Sequence, residues 1–113
     1  MIVLVCGSRE INNYSLVEKA IHASGFPPTK IIGGGARGVD TRAKLYATIN
    51  QIPFEEFPAD WDTHGKNAGK IRNRTMVDLC DAVVAVWDGR SPGTRHTIKY
   101  AELKGKPVFI FQI

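Results

Sequence analysis

The sequence predicts an α/β domain, a single Rossmann-like three-layer unit over residues 1–113 with about five mostly parallel strands and about four helices. Three observations lead there. Short apolar runs alternate with segments of helical period. The runs end in glycine or Asp-Gly turns that pass directly into those segments. A chain of 113 residues also fills one core and not two.

Ile2 to Cys6 is continuously apolar and ends at Gly7, the pattern of a central strand buried on both faces. Ser15 and Glu18 have the spacing of a capping box, Val17, Ala20 and Ile21 share a helix face, and Gly25 with Pro27 and Pro28 stops that helix. Lys30 to Ile32 is a short second strand that runs into Gly33-Gly34-Gly35-Ala36-Arg37-Gly38. The next helix carries Val39, Ala43 and Tyr46 on its apolar stripe, with Leu45 and Ile49 beside it, and gives out at Asn50. Ile52 to Phe57 reads as a third strand near a sheet edge, because it contains Pro53 and the Glu55-Glu56 pair. Pro58 to Asn67 reads as a loop. A third helix spans about Ala68 to Cys80, and Ala82 to Trp87 is the most apolar strand. Asp88-Gly89 and Ser91-Pro92-Gly93-Thr94 turn into a fourth helix ending near Gly105, and Pro107 to Ile113 closes the sheet.

Hydrophobic residues make up 43% of the chain and charged residues 23%, which excludes disordered and fibrous classes. No apolar run is long enough to span a bilayer, so no membrane role is expected. Cys6 falls in a core strand and Cys80 at a helix end, without CxxC spacing, which points to reducing cytoplasm and to neither a disulfide framework nor a metal site. The net charge of +4 favours anionic partners, but the Lys and Arg residues are scattered, as on an ordinary solvated surface.

In an open parallel sheet, ligands sit beyond the carboxyl ends of the strands, where helix N-termini offer unpaired amides. Four turns qualify: Gly7-Ser8-Arg9, Gly33 to Asp40, Pro58 to Asn67, and Asp88 to Thr94. Gly33, Gly35 and Gly38 satisfy G-x-G-x-x-G between strand and helix, a pattern that lets backbone approach a phosphate; a tight turn without a ligand is the alternative. Val39 and Asp40 stand where a P-loop needs Lys and Ser or Thr, which excludes that class of ATPase. A dehydrogenase is disfavoured because the fingerprint follows the second strand and no room remains for a substrate domain. Gly93-Thr94 is a second phosphate nest or a plain helix cap. Trp61 either stacks on a base or packs its loop down. Asp60, Asp62 and His64 alternate as in many polar loops, and no metal is expected there. Lys70, Arg72 and Arg74 begin a helix, the wrong end for its dipole, which indicates a nearby anion or a solvated basic face. His22 and His96 read as helix or surface residues.

Gly7-Ser8-Arg9, Gly34 with Ala36-Arg37-Gly38-Val39-Asp40, Pro58-Ala59-Asp60-Trp61, Ala68-Gly69, Arg72-Asn73 with Met76, and Asp88-Gly89 with Gly93-Thr94 together resemble the YspA-like branch of the SLOG superfamily. That superfamily includes the LOG cytokinin-activating hydrolases and the DNA-processing protein A family. The resemblance implies a ligand pocket at the glycine turns and binding of nucleotides, ADP-ribose-like signals or nucleic acid. LOG-type hydrolases use an Arg in R-K-x-x-M and a Glu in G-T-x-x-E to cleave an N-glycosidic bond. Here Arg72 and Met76 match the first stretch, Asn73 replaces its Lys, and Thr97 stands in place of the Glu. A hydroxyl does not stabilise an oxocarbenium-like charge at neutral pH, so hydrolysis would need Asp40, Asp60 or Asp88 as its carboxylate.

The leading expectation is a binder of a phosphate-bearing nucleotide or nucleotide derivative, with no cofactor of its own. Gly33 to Gly38 and Gly93-Thr94 would cradle phosphate, Gly7 and Ser8 would lie beside it, Arg9, Arg37 and Arg72 with Asn73 would supply charge and polarity, and Asp60, Trp61 and Asp88 would border the base and sugar. Nucleotide N-glycosidic hydrolysis and single-stranded DNA binding are the rivals, and a homodimer is the expected assembly.

Overall fold

The computed structural model describes residues 1–35 and 37–113. Its strands are β1 (Ile2–Gly7), β2 (Lys30–Gly33), β3 (Phe54–Glu56), β4 (Ala82–Trp87) and β5 (Val108–Gln112). All neighbouring pairs are parallel, in one sheet of order β3-β2-β1-β4-β5. The helices are α1 (Tyr14–Ser24), α2 (Val39–Ile49), the single-turn α3 (Trp61–His64), α4 (Ala68–Leu79) and α5 (Pro92–Leu103). The expected α/β architecture is thus present.

Apolar residues divide between the two faces by strand alternation. Val3, Val5, Ile31, Val84 and Val86 point to the side covered by α1 and α2, against Val17, Ala20, Ile21, Ala43 and Tyr46. Leu4, Cys6, Ile32, Val83 and Ala85 point to the other side, against Met76 and Val77 of α4 and Ile98 and Ala101 of α5. β1 and β4 pair from Val3↔Ala82 to Gly7↔Val86 and form the buried middle of the sheet. Among the described residues no helix is long and apolar enough to cross a membrane.

Three local expectations are corrected. The N-cap of α1 is Asn13, whose side chain accepts from the Ser15 amide at 2.9 Å, so Ser15 and Glu18 form no capping box: Ser15 already lies inside the helix. The third strand shrinks from 52–57 to 54–56, because Pro53 has no N–H and joins the ladder only through its carbonyl, which accepts from Ile31. The segment 58–67 is not a loop throughout. Asp60 accepts from the Thr63 amide at 3.1 Å and starts α3, and a 3-10 turn over Gly65–Asn67 joins it to α4. The other helix and strand ends agree with the sequence reading to within a residue or two.

Candidate functional site: a cleft at the topological switch point

From β1 the chain moves outward to β2 and β3, then crosses back to β4 on the other side of β1. The connections after β1 and β4 therefore diverge, and a crevice opens beyond their carboxyl ends. A cleft of about 400 Å³ lies there, within the size range of small-molecule sites.

One wall is the end of β1. Gly7 is obligatory: a Cβ would come 2.2 Å from the Val86 carbonyl oxygen and 2.6 Å from Val39 Cγ2. Ser8, buried, ties this turn to the one after β4. Its amide donates to the Val86 carbonyl at 3.1 Å, and its Oγ accepts from the Asp88 amide at 3.2 Å and from Ser91 Oγ at 2.9 Å. Arg9 and Glu10 continue along the rim.

A second wall is the start of α5. Its N-cap, Ser91, makes no side-chain cap because its hydroxyl is directed to Ser8, and Pro92 has no N–H. The amides of Gly93 and Thr94 fall in the first helical turn, where no intrahelical carbonyl is available to them. The Gly93 carbonyl, by contrast, accepts from Thr97 Oγ1 at 3.1 Å and from Asn73 Nδ2 at 3.5 Å. A Cβ on Gly93 would meet nothing within 4 Å.

Arg72 and Asn73 of α4 close the third side. Arg72 donates through Nη1 to the Gly34 carbonyl at 2.6 Å and to the Phe57 carbonyl at 3.3 Å, and through Nε to Asn73 Oδ1 at 2.8 Å. It clamps the turns after β2 and β3 onto α4. Burial lowers the Arg72 guanidinium from its ordinary value; Asp40 opposes that shift and Arg9 adds to it. Asp40, buried at the start of α2, lines the same cleft. Cys6 forms part of the floor, and burial pushes its thiol up, with Asp40 and then Cys80 adding to the shift, so it is no nucleophile at neutral pH.

Of the residues expected from sequence, Gly7, Arg9, Gly34, Asp40, Arg72, Asn73, Gly93 and Thr94 line this cleft. Ser8, Gly33, Gly35, Gly38, Arg37, Asp60, Trp61 and Asp88 do not, and Ala36 lies outside the described residues. The glycines of the turn after β2 have reasons within the protein: a Cβ on Gly34 would press on the Arg72 guanidinium, Gly35 has φ 75°, and Gly38 has φ 80°. Arg37 reaches Glu10 at 3.3 Å on the open surface. Asp60 caps α3, while Trp61 is 57% exposed there. Asp88 Oδ1 accepts from the Arg90 and Ser91 amides at 2.8 and 2.9 Å, an Asx-type turn that holds its carboxyl below the ordinary value.

Cys6, Glu10, Ser91, Pro92, Met76 and Thr97 also line the cleft beyond the residues expected as ligand contacts. Met76 and Thr97 were visible as motif positions, and Glu10 adjoins Gly7-Ser8-Arg9. Cys6 carried only a core signal. Among the described residues no group of His, Cys, Asp and Glu could hold a metal.

The family model of the YspA, cpYpsA-related SLOG family matches residues 1–64, more than half of the chain. The chain belongs to that family. A relative of this SLOG chain is the Gene 61 protein of Mycobacterium phage D29, 39% identical, with 96% of this chain and 94% of the relative covered. Among solved structures, one reported for the single-stranded DNA binding mode of DNA processing protein A from Helicobacter pylori is similar, with a TM-score of 0.64 at 21% identity. It covers 97% of this chain, which spans 64% of that one, and the likeness establishes the shared fold.

Proposed function

We propose that this SLOG domain binds a phosphate-bearing nucleotide or nucleotide derivative in the cleft between β1 and α5. The carrying observation is the start of α5: first-turn amides without a side-chain cap, beside a glycine whose missing side chain leaves open space, in a cleft that Arg9 also lines. Amides and dipole at a helix start favour an anion, and guanidinium groups bind phosphate with paired hydrogen bonds. The turn after β2 contributes Gly34 and Asp40, with Arg72 holding it in place.

Melting curves with AMP, ADP-ribose, NAD and adenosine test this reading. A ligand that binds only the native protein raises apparent stability by mass action. The phosphate-bearing compounds should raise Tm with concentration and adenosine should not. Equal shifts from AMP and adenosine, or none from any compound, would defeat it.

A second reading is hydrolysis of a nucleotide N-glycosidic bond. It is favoured by Asp40, a buried carboxylate lining the cleft, whereas Asp60 and Asp88 cap local turns outside it. Chromatography for free base after incubation, with Asp40→Asn as the control, separates hydrolysis from binding. The DNA-binding description of the structural neighbour and the exposed Trp61 motivate an oligonucleotide arm, where salt-sensitive binding lost in Trp61→Ala would place nucleic acid among the ligands.

A further inference from the structure

The two edges of the sheet differ in how they treat a neighbouring strand. β3 is three residues long, is preceded by Pro53, and carries Glu55 and Glu56; Glu55 pairs with Lys30. Short length, proline and charge all oppose further pairing. β5 has none of these: Val108-Phe109-Ile110-Phe111-Gln112 is uncharged, free of proline and rich in residues of high β-propensity.

Its free donors and acceptors follow from the ladder with β4. The Pro107 carbonyl accepts from Val83 and the Ile113 amide donates to Trp87, so residues 107 and 113 face β4. Parallel register alternates every second residue, which turns 109 and 111 the same way and leaves Val108, Ile110 and Gln112 with amide and carbonyl directed outward. Apolar side chains are only partly covered around this edge: Ile110 is 41% and Ile113 53% exposed, and Phe109 and Phe111 are half-buried against the α1–α2 side of the core.

We propose that this chain pairs with a second copy of itself along β5, antiparallel, with Ile110 on the twofold axis. In that register Ile110 exchanges both backbone bonds with the partner's Ile110, and Val108 does so with the partner's Gln112. Phe109 then lies opposite the partner's Phe111 in the non-hydrogen-bonded position, where side chains approach most closely, and symmetry repeats that aromatic pair. No like charges meet along the strand. The same operation centred on Glu55 of β3 would set that carboxylate against its own copy.

Sedimentation across a concentration series, combined with amide exchange, tests the pairing. The expected result is a species of twice the chain mass, in which the Ile110 amide becomes protected as the dimer fills. Ile110→Pro removes the outward N–H while leaving the bonds of Phe109 and Phe111 to β4 intact, and Ile110→Lys sets two ammonium groups face to face on the axis. Both should sediment as monomers with a native circular dichroism spectrum. Should the proline variant fail to fold, the lysine variant decides. A wild-type chain that stays monomeric throughout, or a folded Ile110→Lys variant that remains dimeric, overturns the proposal.

Discussion

Gly38 and Gly93 introduce helices at the same end of the sheet, yet a methyl group added to each would meet opposite surroundings. At Gly38, with φ 80° and ψ −126°, it would lie 2.4 Å from the Arg9 carbonyl oxygen and 2.7 Å from that of Ser8. At Gly93 it would point into open space beside the cleft. One turn is closed on the protein itself; the other is left clear. A glycine in an ordinary helical turn costs some stability relative to alanine, so one with nothing packed against it needs a reason outside the chain. In the proposed reading, the close approach of a ligand supplies it. The difference shows that a glycine between strand and helix can mark either a steric lock or an open turn, and that only the surroundings of each Cα separate them.

The largest effect expected from this contrast is on folding. Gly38→Ala should cost about 3 kcal/mol, because a left-handed backbone conformation and a collision with carbonyl oxygens act together. Urea denaturation measures it directly. A loss below about 1 kcal/mol would mean that the Ser8-Arg9 turn yields, and the closed turn would no longer be a lock.

Gly93→Asp should invert the pattern. A carboxylate in the first turn of α5 favours the helix dipole, so the free protein should keep its stability or gain about 0.5 kcal/mol. The same charge repels a phosphate at those amides, and affinity for AMP should fall by roughly tenfold or more, read by titration calorimetry. Unchanged affinity would move the phosphate away from α5 and return the turn after β2 to consideration.

Strand and helix placement was legible because apolar runs and glycine stops report burial and chain reversal directly, as at Ile2–Gly7 and Ala82–Trp87. The short α3 was not, since its signal is one Asp three residues before Thr63 inside a polar stretch. For the site, the turns after strands identified Arg9, Asp40 and Gly93 as candidates and the basic start of the third helix identified Arg72, and all of them line the cleft. Sequence could not reveal which arginine is already engaged. Arg72 is bonded to two carbonyls from distant turns and Arg37 is paired with Glu10, both set by tertiary contacts between residues 15 or more apart in the chain. Nor could it separate Asp40 in the cleft from Asp60 and Asp88 at local caps, because all three follow strands.

The smallest effect concerns Asp88 and sharpens that last distinction. Backbone hydrogen bonds from Ser91 and Arg90 hold its folded-state carboxyl below the ordinary 3.8. The native state therefore prefers the ionised form more than the unfolded chain does. Its contribution to stability is complete above 3.8 and is lost as pH falls from there through the native value. Asp88→Asn keeps a side-chain oxygen for the same amides but has no proton to take up, so stability should decline less steeply with acid than in the wild type, while ligand affinity at neutral pH stays the same. Asp60, similarly depressed by its bonds from Thr63, continues to contribute an acid-sensitive term in both proteins. Identical acid slopes together with weakened AMP binding in Asp88→Asn would instead make this carboxylate part of the ligand site, and the turn before α5 would recognise sugar or base as well as phosphate.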